Sequence, residues 1–304
     1  MSNPASKTAS TEVSDKQYKT SRDVQRAVDL IRQDLSSRHR MYRPPAVVDS
    51  EQLARDVATV ERDGYIIFEN LFTPRQMKAM ADSIEDYMRW DGRNNFEGHK
   101  TRRVYSIAGK TVAFDPLIEH PRVMALLNYF LLPNFLLSMA QVIRIYPHEK
   151  PQILHIDDGF IPFPRPRKAL GAATIWAIDD FTEANGSTVV WPQSHLWGEG
   201  ATPENPPEGY SLSPVSVKMP AGSCVFFLST LWHGGGRNET EIPRTAFTTQ
   251  YCEPFLRTQE NQFLAVSKEM ARKRSDAMKS MLGYSVHPPF IGQVDGMSPM
   301  RSLL

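Results

Sequence analysis

Pro151-Gln-Ile-Leu-His155-Ile-Asp157-Asp158 is the stretch from which the rest of the chain is read. In an extended segment residues two apart share a side, so the His155 imidazole and the Asp157 carboxylate project together and Asp158 points away. Alone, a His-x-Asp pair on a strand reads as a structural hydrogen bond. A third ligand has to come from far along the chain, and His233, in Leu231-Trp-His-Gly-Gly-Gly236, is the candidate. Two histidines and one carboxylate with open positions suit non-heme Fe(II).

Working outward, Met139 to Tyr146 alternates in a strand-like way and feeds directly into the motif. Beyond it, Pro162, Pro164 and Pro166 surround Arg165 and Arg167 in a loop placed to form a pocket rim. Thr174–Ile178, Ser187–Trp191, Val215–Met219, Ser223–Leu228 and Thr245–Tyr251 are short strand-like runs separated by turn signals. Such a series predicts a β-sandwich or jelly roll. The core is therefore mainly β within an α+β class.

The flanks read as helical. Residues 1–20 are polar and non-periodic, a disordered tail. Val24, Ala27, Val28, Ile31 and Leu35 recur at helical spacing within an N-terminal helix and linker, residues 21–49, with Ser21 as N-cap. The main domain, 50–258, opens with a helix over Ser50–Asp63, then Gly64 and a strand, Tyr65–Phe68. Thr73-Pro74 followed by Gln76 is a capping box with Pro at the first helical position, ahead of a buried stripe from Met77 to Met88. A further Pro-started helix runs from His120-Pro121 to Leu131. Residues 91–115 read as a polar loop whose Arg102, Arg103 and Tyr105 are weak substrate-contact candidates beside an ordinary surface role. The C-terminal extension, 259–304, is read as helical from Glu260 to Leu282 and capped by Gly283.

Composition excludes several classes. A net charge of +1 over 304 residues leaves no electrostatic footprint for nucleic acid. The most apolar run, Asn128–Ala140, is interrupted by Pro133 and Asn134 and is too short to cross a bilayer. Two cysteines, Cys224 and Cys252, lie in no metal or redox spacing, which favours a reducing, cytoplasmic setting. The sequons at Asn185 and Asn238 are then chance matches.

Several motifs, in order, carry a resemblance. They are Asp63-Gly-Tyr65, His120-Pro-Arg-Val123, Leu154-His-Ile-Asp-Asp158, Asp180-Phe-Thr-Glu-Ala-Asn-Gly-Ser-Thr188, Pro192-Gln-Ser-His195, His233-Gly-Gly-Gly-Arg-Asn238 and Arg244. Between about Val60 and Leu256 the chain resembles the phytanoyl-CoA dioxygenase family of Fe(II)- and 2-oxoglutarate-dependent oxygenases. The resemblance implies a double-stranded β-helix, the cupin-like jelly roll, flanked by helices. It implies that His155, Asp157 and His233 hold Fe(2+), and that 2-oxoglutarate and O2 are cosubstrates with ascorbate in support. It also implies that Arg244, eleven residues after His233, pairs with the distal carboxylate of 2-oxoglutarate. Thr188 and Gln152 stand at family-like positions for further cosubstrate contacts.

The implied reaction is hydroxylation of a C–H bond of a small, largely apolar metabolite, with release of succinate and CO2. Desaturation or another oxidation stays open, as does the choice between monomer and homodimer. Asp157 itself separates this chain from halogenating relatives, which need a small residue there. Two departures are visible: Gln193 replaces a glycine common in relatives, and Ala246 stands where some enzymes carry a hydroxyl. Met88, Trp90, Phe160, Phe163 and Trp197 are candidates for an apolar pocket, and segments 91–115, 159–170 and 196–213 for substrate choice. The alternative is a non-catalytic double-stranded β-helix that binds a ligand or partner. A zinc hydrolase leaves Arg244 without a role, and an esterase reading of His-Gly-Gly-Gly fails because no Gly-x-Ser-x-Gly elbow exists.

Overall fold

The computed structural model describes residues 21–38, 42–44, 48–210 and 213–304. The tail expected over residues 1–20 lies outside them. Among the described residues nine strands form two antiparallel sheets. They are β1 (Tyr65–Phe68), β2 (Thr101–Val104), β3 (Leu136–Ile145), β4 (Gly171–Ala177), β5 (Thr188–Val190), β6 (Val215–Ser216), β7 (Cys224–Leu228), β8 (His233–Gly235) and β9 (Arg244–Cys252). The larger sheet has the order β1-β7-β4-β9-β3-β2 and the smaller β6-β5-β8.

Alternation along the strands of the larger sheet sorts their side chains between two cores. Cys224, Phe226 and Leu228 of β7 point outward, with Ala172 and Trp176 of β4, into a large apolar layer. Val225 and Phe227, with Ala173 and Ala177, point inward to a smaller core between the sheets, where Phe181, Val190, Val217 and Leu231 meet them. This is the period-two logic of a sheet covered on both faces. The inner core does not extend under the far strands. There β9, β3 and β2 turn Arg244, Thr248, Gln250, Gln141 and Arg103 inward, and a cavity opens.

Helices cover the outer layer. Among them α1 (Ser21–Arg38), α2 (Ser50–Asp63), α3 (Pro74–Asp82), α4 (Asp115–Ile118) and α5 (Pro121–Phe130) precede the site. Asp49 caps α2, and Gly64 ends it in the left-handed conformation at φ 85°. Thr73 and Gln76 form the reciprocal capping box of α3. Asp56 of α2 pairs with Arg122 of α5 at 2.7 Å, and that guanidinium lies 4.0 Å over the Phe68 ring. α1 is the exception: Val24, Val28 and Ile31 are exposed rather than packed on that layer.

Three expectations change, and one strand, β8, is added to those expected. The 155–157 segment is not a regular strand: His155 forms a single bridge to His233, and Asp157 opens a turn. β2 lies where a loop was expected, because Thr101–Val104 gains its ladder from β3, far along the chain. β8 is a strand although two of its three residues are glycines. The C-terminal helix is broken into α6 (Gln262–Ala265), α7 (Lys268–Arg272) and α8 (Asp276–Lys279), since Ser267 and Ser275 each start a new helix as N-caps. Both sequon asparagines are buried, with their amides donating to backbone carbonyls, so neither is presented as a glycan acceptor.

Candidate active site

The site is built where the chain passes twice along one edge of the smaller sheet. The His155 N–H donates to the His233 carbonyl at 2.9 Å, and the His233 N–H donates back at 3.0 Å. This pairing holds the two rings 4.3 Å apart, centre to centre. Each ring is then oriented by its own backbone: His155 Nδ1 lies 2.9 Å from the Ile153 carbonyl and His233 Nδ1 3.0 Å from that of Leu231. A carbonyl only accepts, so Nδ1 carries the proton and Nε2 keeps its lone pair. The Asp157 Oδ1 stands 3.7 Å from both Nε2 atoms. That is too far for a hydrogen bond and close enough for one ion to touch all three, whose ligand atoms lie within 4.8 Å of one another. The other carboxylate oxygen, Asp157 Oδ2, is buried without a partner. Two imidazoles and one carboxylate of this kind fit a divalent first-row metal.

Burial sets the protonation of the ligands. It raises the Asp157 carboxyl to about 6, a shift that the nearby imidazole of His155 opposes. The Gln250 amide also favours the ionised form of Asp157. Burial pulls His233 down to about 4, and lowers His155 with help from its neighbour His233. Near neutral pH both rings are thus neutral and the carboxylate charged, the state a metal requires.

Asp158 has a different task. Its carboxylate accepts from Arg167 and from the Ser229 hydroxyl, each at 2.8 Å, and so ties the turn after the motif to the strand ends. His195 is also structural, with Nε2 3.0 Å from the Glu61 carbonyl. Gln193 adopts the left-handed conformation at φ 66°, which is why a glycine suits this turn.

Arg244 opens β9 and is 3% exposed. Its guanidinium donates to the Gly186 carbonyl and stacks 4.3 Å from the Phe181 ring, while Nε has no partner. Burial lowers it to about 9, leaving a cation at neutral pH with a donor to spare. The motif from Asp180 to Thr188 makes this possible, because the Asn185 side chain fastens its turn through the Asp180 carbonyl and the Thr182 N–H. Thr188 pairs with Gly235, and its side chain lines the same cavity. Gln152 reaches the wall as well, but its amide already accepts from the Gly235 N–H and donates to the Phe96 carbonyl, each at 3.2 Å. The supporting roles of Phe181, Gln250 and Phe96, whose ring meets that of His155 edge-on at 4.9 Å, have no signature in the sequence.

The cavity has a volume of about 750 Å³. The triad, Arg244, Thr188 and Gln152 all line it, so the structure brings every predicted site residue to one place. The pocket residues expected from apolar character fare differently. Phe160 lines the cavity, whereas Met88 and Trp197 are buried in the core and Trp90 and Phe163 are exposed away from it. The described residues of segment 196–213 contribute nothing to the wall, while 94–105 contributes much, including a half-buried Arg103 in place of the expected surface arginine.

A double-stranded β-helix with two histidines and a carboxylate on the wall of its cavity defines the class of mononuclear metal oxygenases. The sequence pattern of the phytanoyl-CoA dioxygenase family matches residues 60–246, and the chain belongs to that family of oxygenases. Among its relatives is the dioxygenase FUM3 of Gibberella moniliformis, 28% identical over 74% of this chain and 80% of that protein. The dioxygenase swnH2 of Arthroderma benhamiae is 27% identical over 85% and 88%. The fold is shared with the non-heme α-ketoglutarate-dependent epimerase SnoN from nogalamycin biosynthesis, with TM-score 0.56 and 21% identity over 69% of this chain and 87% of that one. It is shared too with HygX from Streptomyces hygroscopicus, solved with nickel, 2-oxoglutarate and hygromycin B, with TM-score 0.55 and 16% identity over 69% and 90%.

Proposed function

We propose that the protein is an Fe(II)- and 2-oxoglutarate-dependent dioxygenase that hydroxylates an unactivated C–H bond of a small molecule. The observation that carries this reading is the pairing of a free-Nε2 triad with a buried, partly unpartnered Arg244 in one cavity. His155, Asp157 and His233 would hold iron on one face, and ascorbate would keep it reduced. When bound, Fe(II) supplies the activation of O2 that is coupled to oxidative decarboxylation of 2-oxoglutarate. One oxygen atom ends in succinate and the other in the hydroxylated product, with CO2 released.

The protein's own part is positional. The Ile153 and Leu231 carbonyls keep both imidazoles in the liganding tautomer. Arg244 meets the distal carboxylate of 2-oxoglutarate as a planar fork, with Phe181 fixing its plane. Thr188 adds a hydroxyl from the adjacent strand, and the second amide N–H of Gln152 remains for the cosubstrate. Phe227 and Ile175 give the inner wall an apolar surface that excludes water near the triad. The carboxylate at 157 fills the position that a halogenating enzyme leaves for halide, so oxygenation is the outcome.

The test is anaerobic addition of Fe(II) and 2-oxoglutarate to the purified protein. A weak visible charge-transfer band is expected, absent in His155→Ala and Asp157→Ala, and succinate is expected once O2 is admitted. Arg244→Ala keeps the metal and weakens 2-oxoglutarate by about a hundredfold, the loss of one charge-assisted pair. An unaltered protein with neither band nor succinate overturns the reading, and unchanged cosubstrate affinity in Arg244→Ala overturns that residue's role.

A further inference from the structure

The reaction cavity adjoins a second, smaller chamber that the iron and cosubstrate reading leaves unused. Along β9 the inward side chains of Arg244, Ala246, Thr248 and Gln250 line the reaction cavity, and Gln250 and Cys252 line the chamber. Asp157, Phe160, Gln250 and Gln259 stand in both walls, whereas His155, His233 and Arg244 border the reaction cavity alone. Gln250 follows Arg244 by six residues, on the order of 20 Å along the strand. The chamber therefore lies past the reach of a short diacid anchored at Arg244, on the Asp157 side of the triad.

Small residues open this space. Gly171 pairs with Cys252, and Ser138 sits at the bulge where β3 shifts register between Leu137 and Met139. The segment after β9 closes over that bulge. The Gln259 N–H donates to Ser138 Oγ at 3.0 Å, and the Glu260 N–H donates to the Ser138 carbonyl at 2.9 Å. The chamber so formed has a volume of about 160 Å³. Its polar groups are turned to one another. Ser229 donates to Asp158 and the Gln259 amide donates to Gln250, while the second Asp158 oxygen is buried. The rest of the wall is apolar, from Ile161, Leu170, Ala172, Cys252 and Leu256. Phe160 and Arg257, also in this wall, are exposed and Leu256 is half-buried, so one end meets solvent.

We propose that this chamber admits O2, as a small apolar gas, to the triad from the Asp157 side, by a way that bound cosubstrate and substrate do not block. This rests on the iron and 2-oxoglutarate reading. Apolar cavities of about 150 Å³ take up xenon, a gas atom of comparable size and polarity. A substrate arm would have to part the Gln250–Gln259 pair to enter and stay. For a gas molecule the rotamer motion of the exposed Gln259 side chain, on a picosecond-to-nanosecond scale, is enough.

Xenon and O2 test this in turn. Crystals of the full chain, metal-free and pressurised with xenon, are expected to show a xenon atom between Leu170 and Cys252. Cys252→Leu fills the chamber from β9 and is expected to remove that atom. Leu256→Trp closes the end that meets solvent, and serves if the first variant does not fold. Protein loaded with Fe(II) and saturated with 2-oxoglutarate is then followed by succinate formation as O2 is varied. Each variant is expected to raise the KM for O2 about fivefold with kcat at saturating O2 unchanged, the signature of lost encounter. Its affinity for 2-oxoglutarate, read from the charge-transfer band, is expected to hold, whereas a general disturbance of the site moves all three. Absence of xenon from the chamber of unaltered protein overturns the proposal. So does loss of xenon in the variants with an unchanged KM for O2, which assigns the chamber to another occupant such as an apolar end of the substrate. A missing charge-transfer band in anaerobic unaltered protein is instead a failure of the iron reading, seen before O2 is admitted.

Discussion

Asp157 and Asp158 are neighbours whose carboxylates meet different surroundings, and their substitution separates chemistry from stability. Asp157→Asn removes a buried carboxylate that has one unpartnered oxygen, so metal binding is lost while the melting temperature holds or rises. Asp158→Ala leaves Arg167 largely buried without its partner, at a cost of about 3–5 kcal/mol, yet the triad is untouched. Denaturant unfolding and metal titration of both variants check this crossing of effects. The pH dependence follows from the same groups. With the Asp157 carboxyl at about 6 and His233 at about 4, acidification from pH 6 to 4 protonates the carboxylate first. Metal must displace that proton, so its affinity falls about tenfold per pH unit across this window and is flat just above it. For the metal-free fold the signs oppose. Asp157, raised on folding, costs stability that is regained as pH falls through 6. His233, lowered on folding, gives stability that is lost as pH falls from 6.5 toward 4.

At the scale of elements, the glycines within and just after β8 decide whether the two histidines meet. A Cβ on Gly234 would lie 3.2 Å from the Gln152 carbonyl, and one on Gly236 would lie 2.6 Å from that of Ser187. The strand is therefore pressed between the segment carrying His155 and the end of β5, and only glycine lets all three backbones approach. Gly236→Ala pushes β8 from its neighbour, and we expect a loss of about 1–3 kcal/mol with a parallel fall in metal affinity. Calorimetric melting with and without metal measures both; an unaltered melting curve would show that the strand has more room than this. The His-Gly-Gly-Gly run thus reads as close backbone packing around a ligand. The loop from Asn94 to Gly98 is fixed in a comparable way, by Arg93 on Glu97 and Gln152 on the Phe96 carbonyl.

For the whole molecule, the triad joins residues that are 78 positions apart, His155 and His233, so bound metal ties the motif turn to the smaller sheet. Metal that binds only the folded chain stabilises it by about 2.7 kcal/mol at a hundred times its dissociation constant. In a chain of this size that is a rise in melting temperature on the order of 5 °C. Scanning calorimetry with Mn(II) or anaerobic Fe(II) should show the rise, EDTA should reverse it, and His233→Ala should abolish it. No helix among the described residues is long and apolar enough to cross a membrane, in keeping with the broken apolar run at Pro133 and Asn134.

Local chemistry was legible in the chain. Thr73-Pro74 and Gln76 dictate a helix start whatever surrounds them, short strand-like runs between turn signals mark β7 and β9, and the ordered motifs point to the triad and Arg244. These features depend on contacts within a few residues or on residue types that only one chemistry needs. Tertiary structure alone decided the rest. Thr101–Val104 becomes a strand because β3 offers it partners, and Arg103, an ordinary arginine in the sequence, becomes a half-buried cation on the cavity wall because β2 turns it inward. Trp197 goes to the core and Phe160 to the cavity with nothing local to distinguish them. Even the opening motif is shaped from outside. Asp157 meets the two imidazoles from a turn, because His233 pairs with His155 and the Asp158 carboxylate is drawn off to Arg167 and Ser229. Side-chain direction at such places is set by packing between distant segments, which no stretch of sequence contains.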